Sequence, residues 1–296
     1  MALNRLSLKD RDIFDKYLLT DHHQLCAFSF ENIYIWRSLF QISWFIFNGD
    51  LCIFFKDKIG CFMYLPPLGG EINQDTLKEA FAVMDGLNSN KEVSRIENIE
   101  EKTTASFRQL KFRCREKYPD YVCLRDKIAK LNGNQFKHKR AARNYFIKNY
   151  RYDCRPLRVE DGGPCWELFS RWQKERQSSN TDPVYRGMLQ DSGIVLKDIL
   201  DAYEDLRLEG MIVEVDGRAA AFTFGYKLNK ETFCVLYEIT DLKLKGLSQF
   251  IFSEFCRKLQ DYRYINIMDD SGLQNLKRAK MAFRPVKLIA NYIATR

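Results

Sequence analysis

Two turn signals constrain this chain most. Asn48-Gly49-Asp50 lies between apolar runs at 43–48 and 51–55, and Asp216-Gly217 lies between runs at 210–215 and 219–226. Asn-Gly and Asp-Gly supply the positive φ angles of a tight hairpin turn, so each half of the chain is predicted to hold an antiparallel hairpin. Helical patterns surround the hairpins: 5–19, a helix capped by Asp75 and running to about 87, 134–149, a helix capped by Asp161 and running through 177, helical segments to 206, 248–260 and 272–283. Further strands are expected at 61–65, 93–99, 112–116, 121–124, 155–159, 232–240, 264–268 and 286–293, with a short helix at 105–110. Hairpins mixed with helices read as α+β rather than as a doubly wound parallel sheet. At 296 residues the chain exceeds one ordinary core, and the order of elements repeats, so domains are expected at 1–152 and 153–296.

Composition excludes several classes. With 46% apolar and 29% charged residues, a packed core is expected rather than disorder. The longest apolar stretch, 42–47, falls far short of the roughly 20 residues of a membrane-spanning helix. The opening MALNRLSLKDRDIF lacks the apolar core of a secretory signal. Nine cysteines occur without any C-x-x-C pair, several inside apolar runs such as LCIFF and FCVLY. They read as small hydrophobes in a reducing, cytoplasmic compartment, with no disulfide. Three histidines, two of them the adjacent His22-His23, give no metal-ligand spacing, so no metal site is expected.

The net charge of +8 is concentrated. Residues 102–151 carry fifteen Lys and Arg against three acids, Glu116, Asp120 and Asp126. Such a block points to a polyanionic partner. On the helix at 134–149, Lys137, Lys139, Arg140, Arg143 and Lys148 form a cationic half, opposite Ala141, Ala142, Tyr145 and Phe146. The cations suit tRNA phosphates or an anionic lipid surface, which would make the protein peripheral at the inner membrane face. An arc of Ala and Tyr favours packing on the protein over insertion into lipid. No motif for sequence-specific nucleic-acid reading occurs.

The chemistry-bearing segment follows the strand at 232–240. Lys243-Leu244-Lys245-Gly246-Leu247-Ser248 leads directly into a helix. A glycine turn of this kind aims backbone N–H groups and a helix N-terminus at a phosphate or a developing oxyanion. Lys243, Gly246 and Ser248 are therefore candidate donor or phosphate contacts, joined by Lys277, Arg278 and Lys280 of the last helix. Lys280 falls beside the apolar stripe of Leu273, Leu276 and Phe283, where a long amine snorkels or meets an anion. Glu238, just ahead of the turn, is the candidate general base, with Asp269 a nearby carboxylate and Asn266 a candidate to orient the scissile carbonyl. Asp270 and Ser271 also suit a simple helix cap.

The order helix, antiparallel strands, central strand, turn, helix, strand, helix, strand is that of the GNAT acyltransferase fold, and 243–248 is similar to its Q/R-x-x-G-x-G/A turn, with Lys and Ser at the first and last positions. FENIYIW at 30–36, YLPPLGG at 64–70, LNGNQFKHKRAARNYF at 131–146 and YINIMDDSGLQNLKRAK at 264–280 together resemble a bacterial family related to the catalytic domain of phosphatidylglycerol lysyltransferase, akin to the Fem peptidyltransferases. The resemblance spans nearly the whole chain. It implies two tandem GNAT-like domains with mixed, mainly antiparallel sheets, and transfer of an amino acid from aminoacyl-tRNA to an amine or hydroxyl. The donor is then a substrate, and no resident cofactor is implied. One departure stands out: Ile267 and Met268 occupy positions where relatives carry Arg-Glu. An acyl-CoA donor on the same turn, or a non-catalytic GNAT-like module that binds RNA or anionic lipid, are the alternatives.

Overall fold

A computed structural model describes residues 3–19 and 23–296; His22 lies outside them. In chain order the elements are β1 (Asn4–Arg5), α1 (Arg11–Leu18), α2 (Phe30–Tyr34), β2 (Gln41–Phe47), β3 (Asp50–Lys56), β4 (Cys61–Met63), α3 (Gln74–Leu87), β5 (Ile96–Glu100), α4 (Thr104–Gln109), β6 (Arg113–Leu124), α5 (Arg125–Lys130) and α6 (Lys137–Asn149). There follow β7 (Tyr152–Pro156), α7 (Gly162–Ser179), α8 (Pro183–Asp201), β8 (Glu209–Val215), β9 (Arg218–Lys227), β10 (Thr232–Thr240), α9 (Leu247–Lys258), β11 (Tyr264–Asn266), α10 (Gln274–Met281) and β12 (Lys287–Thr295).

Both turn signals do what their chemistry requires. Asn48 and Gly49 take φ of 53° and 86°, and Asp216 and Gly217 take 51° and 72°, closing the β2–β3 and β8–β9 hairpins. Local capping differs from expectation in two places. Asn73, not Asp75, caps α3, accepting from the N–H groups of Asp75 and Thr76. Asp161 accepts from the Arg158 N–H and the Arg155 guanidinium instead of capping α7. The start of the chain is a short strand and a 3₁₀ turn before α1, not one helix from residue 5. The expected strands at 112–116 and 121–124 are a single strand, β6, and α5 was not anticipated at all.

The chain packs as two compact units. The first comprises Met1–Asp120, Asp269–Leu273 and Leu288–Arg296; the second comprises Tyr121–Met268 and Gln274–Lys287. The division therefore falls after Asp120, not at the expected 152/153 boundary. The physical reason is α6: its Phe146 is fully buried and meets Phe250 of α9 at 4.9 Å between ring centroids, which places the basic helix in the second unit. The last strand returns to the first unit, where β12 pairs antiparallel with β5.

In the first unit, strands run in the order β1-β2-β3-β4-β5-β12, antiparallel except for the β4–β5 pair. α3 packs on this sheet through Leu77, Ala80, Phe81 and Met84. In the second unit the order is β11-β10-β9-β8-β7, with the end of β6 paired to β11. All these pairs are antiparallel except β10–β11. α9 covers one face, burying Leu247, Phe250, Ile251 and Phe255 against Phe233, Val213 and Ile265.

Candidate active site

The second unit opens where its one parallel strand pair ends. β10 and β11 are in register only from Thr232↔Tyr264 to Cys234↔Asn266. β10 continues to Thr240 with no further partner on that side among the described residues. Its register against β9 also steps between Val235 and Tyr237, so Leu236 is an extra residue. A bulge of this kind adds local twist to the strand. Glu238 lies just beyond this bulge.

Glu238 is half-buried, and Ser248 at the start of α9 donates a hydrogen bond to its carboxylate, Oγ to Oε1, at 2.8 Å. Desolvation pushes the carboxyl up to about 7, while the Ser248 hydrogen bond and the charge of Lys139 pull the other way. An acid that changes charge near neutral pH is suited to accept a proton from a nucleophile.

Lys139 was expected on the cationic outside of α6. It faces inward. The buried face of α6 follows Lys139, Ala142 and Phe146, at i, i+3 and i+7, while Ala141 and Tyr145 are exposed. The Lys139 ammonium stands 3.6 Å from the centroid of the Phe283 ring. Burial lowers its pKa, and Glu238 and Cys123 act against that shift. Of the expected apolar arc, Phe146 is the buried anchor, and the face it selects takes in Lys139 in place of Ala141 and Tyr145. Phe283 was visible in the sequence only as part of a stripe, with nothing to mark it as a ring under an ammonium.

The other cations of α6 divide. Arg140 donates to the carbonyls of Leu131 and Gly133, closing the end of α5. Arg143 donates from Nε and Nη2 to Asn144 Oδ1 at 3.3 and 3.2 Å. Lys137 and Lys148 are exposed. On the turn, Lys243 is exposed and 3.5 Å from Glu175, and Gly246 takes φ of 86° as the N-cap of α9. A Cβ on Gly246 would stand 2.0 Å from the Ala142 carbonyl oxygen, so the close approach this glycine permits is to α6.

The segment after β11 differs most from expectation. Asn266 is fully buried, and its Oδ1 accepts from the Met268 N–H at 2.7 Å, holding Met268 at φ of 61°. That oxygen shapes the loop. Asp269, in the first unit, accepts from the Ser271 N–H at 2.7 Å and the Ser271 hydroxyl at 3.2 Å, and Asp270 accepts from the Gly272 N–H at 2.9 Å. These carboxylates close successive Asx turns just ahead of α10 and do not cap the helix itself. On α10, Lys280 donates to the Ile267 carbonyl just past the end of β11, while Lys277 and Arg278 are exposed.

Among the described residues no three metal-ligating side chains gather, and no helix is long and apolar enough to cross a membrane. His23 pairs with Glu100 at 3.1 Å.

The family model for the C-terminal region of phosphatidylglycerol lysyltransferase matches residues 21–295. The chain belongs to that family. A crystal structure of a conserved protein of unknown function from Bacteroides thetaiotaomicron VPI-5482 matches with a TM-score of 0.88 at 26% identity, covering 99% of each chain. The structure of L-PGS from Bacillus licheniformis matches at 0.66 and 14% identity, covering 99% of this chain and 93% of that one. The structure of FemX matches at 0.60 and 10% identity, covering 99% and 97%. At these identities the last two likenesses speak for the fold. No curated protein matches the sequence. The lysyltransferase family fold is thus α+β with mixed, mainly antiparallel sheets, of the tandem GNAT kind. Its members, named for lysyl transfer, place the chain among acyl and aminoacyl transferases.

Proposed function

We propose that this protein transfers an aminoacyl group from aminoacyl-tRNA to an amine or hydroxyl acceptor, with Glu238 as general base. The observation that carries the reading is the Glu238 carboxylate. It lies beyond the bulge where β10 leaves β11, is held by Ser248, and titrates at about 7. In the step envisaged, the acceptor N–H or O–H attacks the ester carbonyl and Glu238 takes its proton. The carbonyl–oxygen bond to the tRNA then breaks, and the tRNA 3′ oxygen leaves as a hydroxyl after taking up a proton. Charge develops on the carbonyl oxygen, and the N-terminus of α9 supplies partial positive charge for it. Neither Ile267 nor Met268 needs to act, because one base and a positioned ester suffice.

The exposed cations Lys137, Lys148, Lys277 and Arg278 support a polyanionic donor. The family's name makes lysyl the first group to test and phosphatidylglycerol the first acceptor. The test is a transfer assay with radiolabelled lysyl-tRNA and, in parallel, an acyl-CoA, each with phosphatidylglycerol vesicles or a soluble amine. Label passing from tRNA to acceptor, and lost in Glu238→Gln, supports the reading. Transfer from acyl-CoA alone would assign the second donor class, and binding of tRNA without transfer from either donor would assign a non-catalytic module.

A further inference from the structure

A run of side chains links the candidate base to Lys139. Ser248 and Phe252 lie four residues apart on one face of α9. Ser248 reaches Glu238 of β10 at 2.8 Å. Phe252 meets Phe283 edge to face, with centroids 4.7 Å apart. Phe283 carries the Lys139 ammonium on its ring at 3.6 Å. α6 cannot withdraw that lysine easily, because Phe146 and the Ala142 carbonyl are pressed against Phe250 and Gly246. The run thus passes from Glu238 through Ser248, Phe252 and Phe283 to Lys139, with no ion pair between its two ends.

The charged and titratable groups around Glu238 are few. From α9 come the Ser248 hydroxyl and the buried Cys256 thiol, while the buried Cys123 thiol of β6 acts on Lys139. Lys280 of α10 donates to the Ile267 carbonyl and acts on Cys123. Lys139 is the cation that acts on Glu238. A side chain that only filled the gap beside Phe283 would be apolar there, since a half-buried ammonium gives up hydration that the ring returns only in part.

We infer that Lys139 is the positioning residue of this centre: its ammonium, seated on Phe283, favours the carboxylate form of Glu238 that takes the proton. The inference rests on Glu238 being the base, and its role is electrostatic, so it is separable from any contact with the donor. An ammonium at this place favours the carboxylate over the carboxylic acid, while burial favours the acid. Loss of the ammonium leaves burial unopposed except by Ser248.

The test is an NMR titration of the full chain with ¹³C-labelled glutamate, in which Glu238→Gln assigns the Glu238 signal. The expected wild-type midpoint is about 7. Lys139→Met, which keeps the aliphatic stem, is expected to raise it by about one pH unit or more, a roughly fivefold or greater loss of ionised base at pH 7. Lys139→Arg is expected to restore it. Phe283→Leu, which removes the seat but keeps the lysine, is expected to raise it by less, and gives the same readout if Lys139→Met folds poorly. An unchanged midpoint in both Lys139→Met and Phe283→Leu overturns the inference. So does a variant that weakens donor binding with no change in midpoint, because the lysine would then be a donor contact. In a transfer assay the acid limb of the pH–rate profile should move with the midpoint while KM stays constant. A moved midpoint in a protein with no transfer activity would uphold the Lys139–Glu238 coupling and remove the transferase reading.

Discussion

Gly246 and Ala142 are in contact at a distance that excludes every other residue: a Cβ at 246 would lie 2.0 Å from the Ala142 carbonyl oxygen. The turn that resembles a donor-phosphate loop is therefore also the point where α6 docks on α9. Gly246 adds a positive φ of 86°, which non-glycine residues adopt at a cost of about 1–2 kcal/mol even without a clash.

Gly246→Ala is accordingly expected to lower stability by about 2 kcal/mol or more, through strain and displacement of α6. Chemical denaturation measures it. A variant with a wild-type midpoint that had lost donor affinity would show instead that the glycine serves the ligand.

Glu238→Gln is expected to reduce transfer by a factor of about 10² to 10⁴, as for loss of a general base. In the wild type the base must be ionised, so the rate should rise with pH through about 7 and level off above it. A pH–rate profile of kcat checks both statements; a flat profile from pH 5 to 9 would remove Glu238 from the base role.

The same residue has an opposite effect on stability. Its folded pKa of about 7 lies above the ordinary carboxylate value of 4.5, so the folded state holds the proton more tightly than the unfolded chain. Stability from this group is present below pH 4.5 and is lost as pH rises towards 7. Above that, the buried charge is a standing cost of up to about 3 kcal/mol, reduced by the partial exposure of the residue. Glu238→Gln should therefore melt higher than wild type at pH 8 and nearly the same at pH 4. Equal melting temperatures at both values would show that the carboxylate is not desolvated.

Lys137 and Lys148 are exposed on α6 while Arg140 and Arg143 are held by neighbouring groups. If tRNA phosphates meet this helix, Lys137→Gln and Lys148→Gln should each lower the slope of log K against log salt by about one. Arg140→Gln should instead destabilise the end of α5. Binding titrations at several salt concentrations, with a thermal melt for Arg140→Gln, separate the two outcomes.

Much of the architecture follows from local chemistry that the sequence displays. Asn48-Gly49 and Asp216-Gly217 specify their hairpins because few other dipeptides accept two consecutive positive φ angles. The strand 232–240 and the helix after Gly246 follow from unbroken apolar periodicity. The resemblance carried by FENIYIW, YLPPLGG and the segment at 264–280 was enough to indicate the family and the α+β class. Glu238 could be singled out because a carboxylate ahead of a glycine turn is unusual in an apolar strand.

Tertiary structure decided the rest. Whether Lys139 faces water or Phe283 depends on which face of α6 is buried, and the seat of Phe146 on Phe250 settles that. Gly246 reads the same in sequence whether it makes room for a phosphate or for the Ala142 carbonyl. Asn266 and Asp269 carry side chains fit for catalysis, yet each spends an oxygen on a neighbouring N–H because the loop there needs it. The division after Asp120 and the return of β12 to the first unit are likewise long-range facts. Periodicity fixes what a segment is; which of its faces meets another segment is fixed by close packing between residues far apart in the chain.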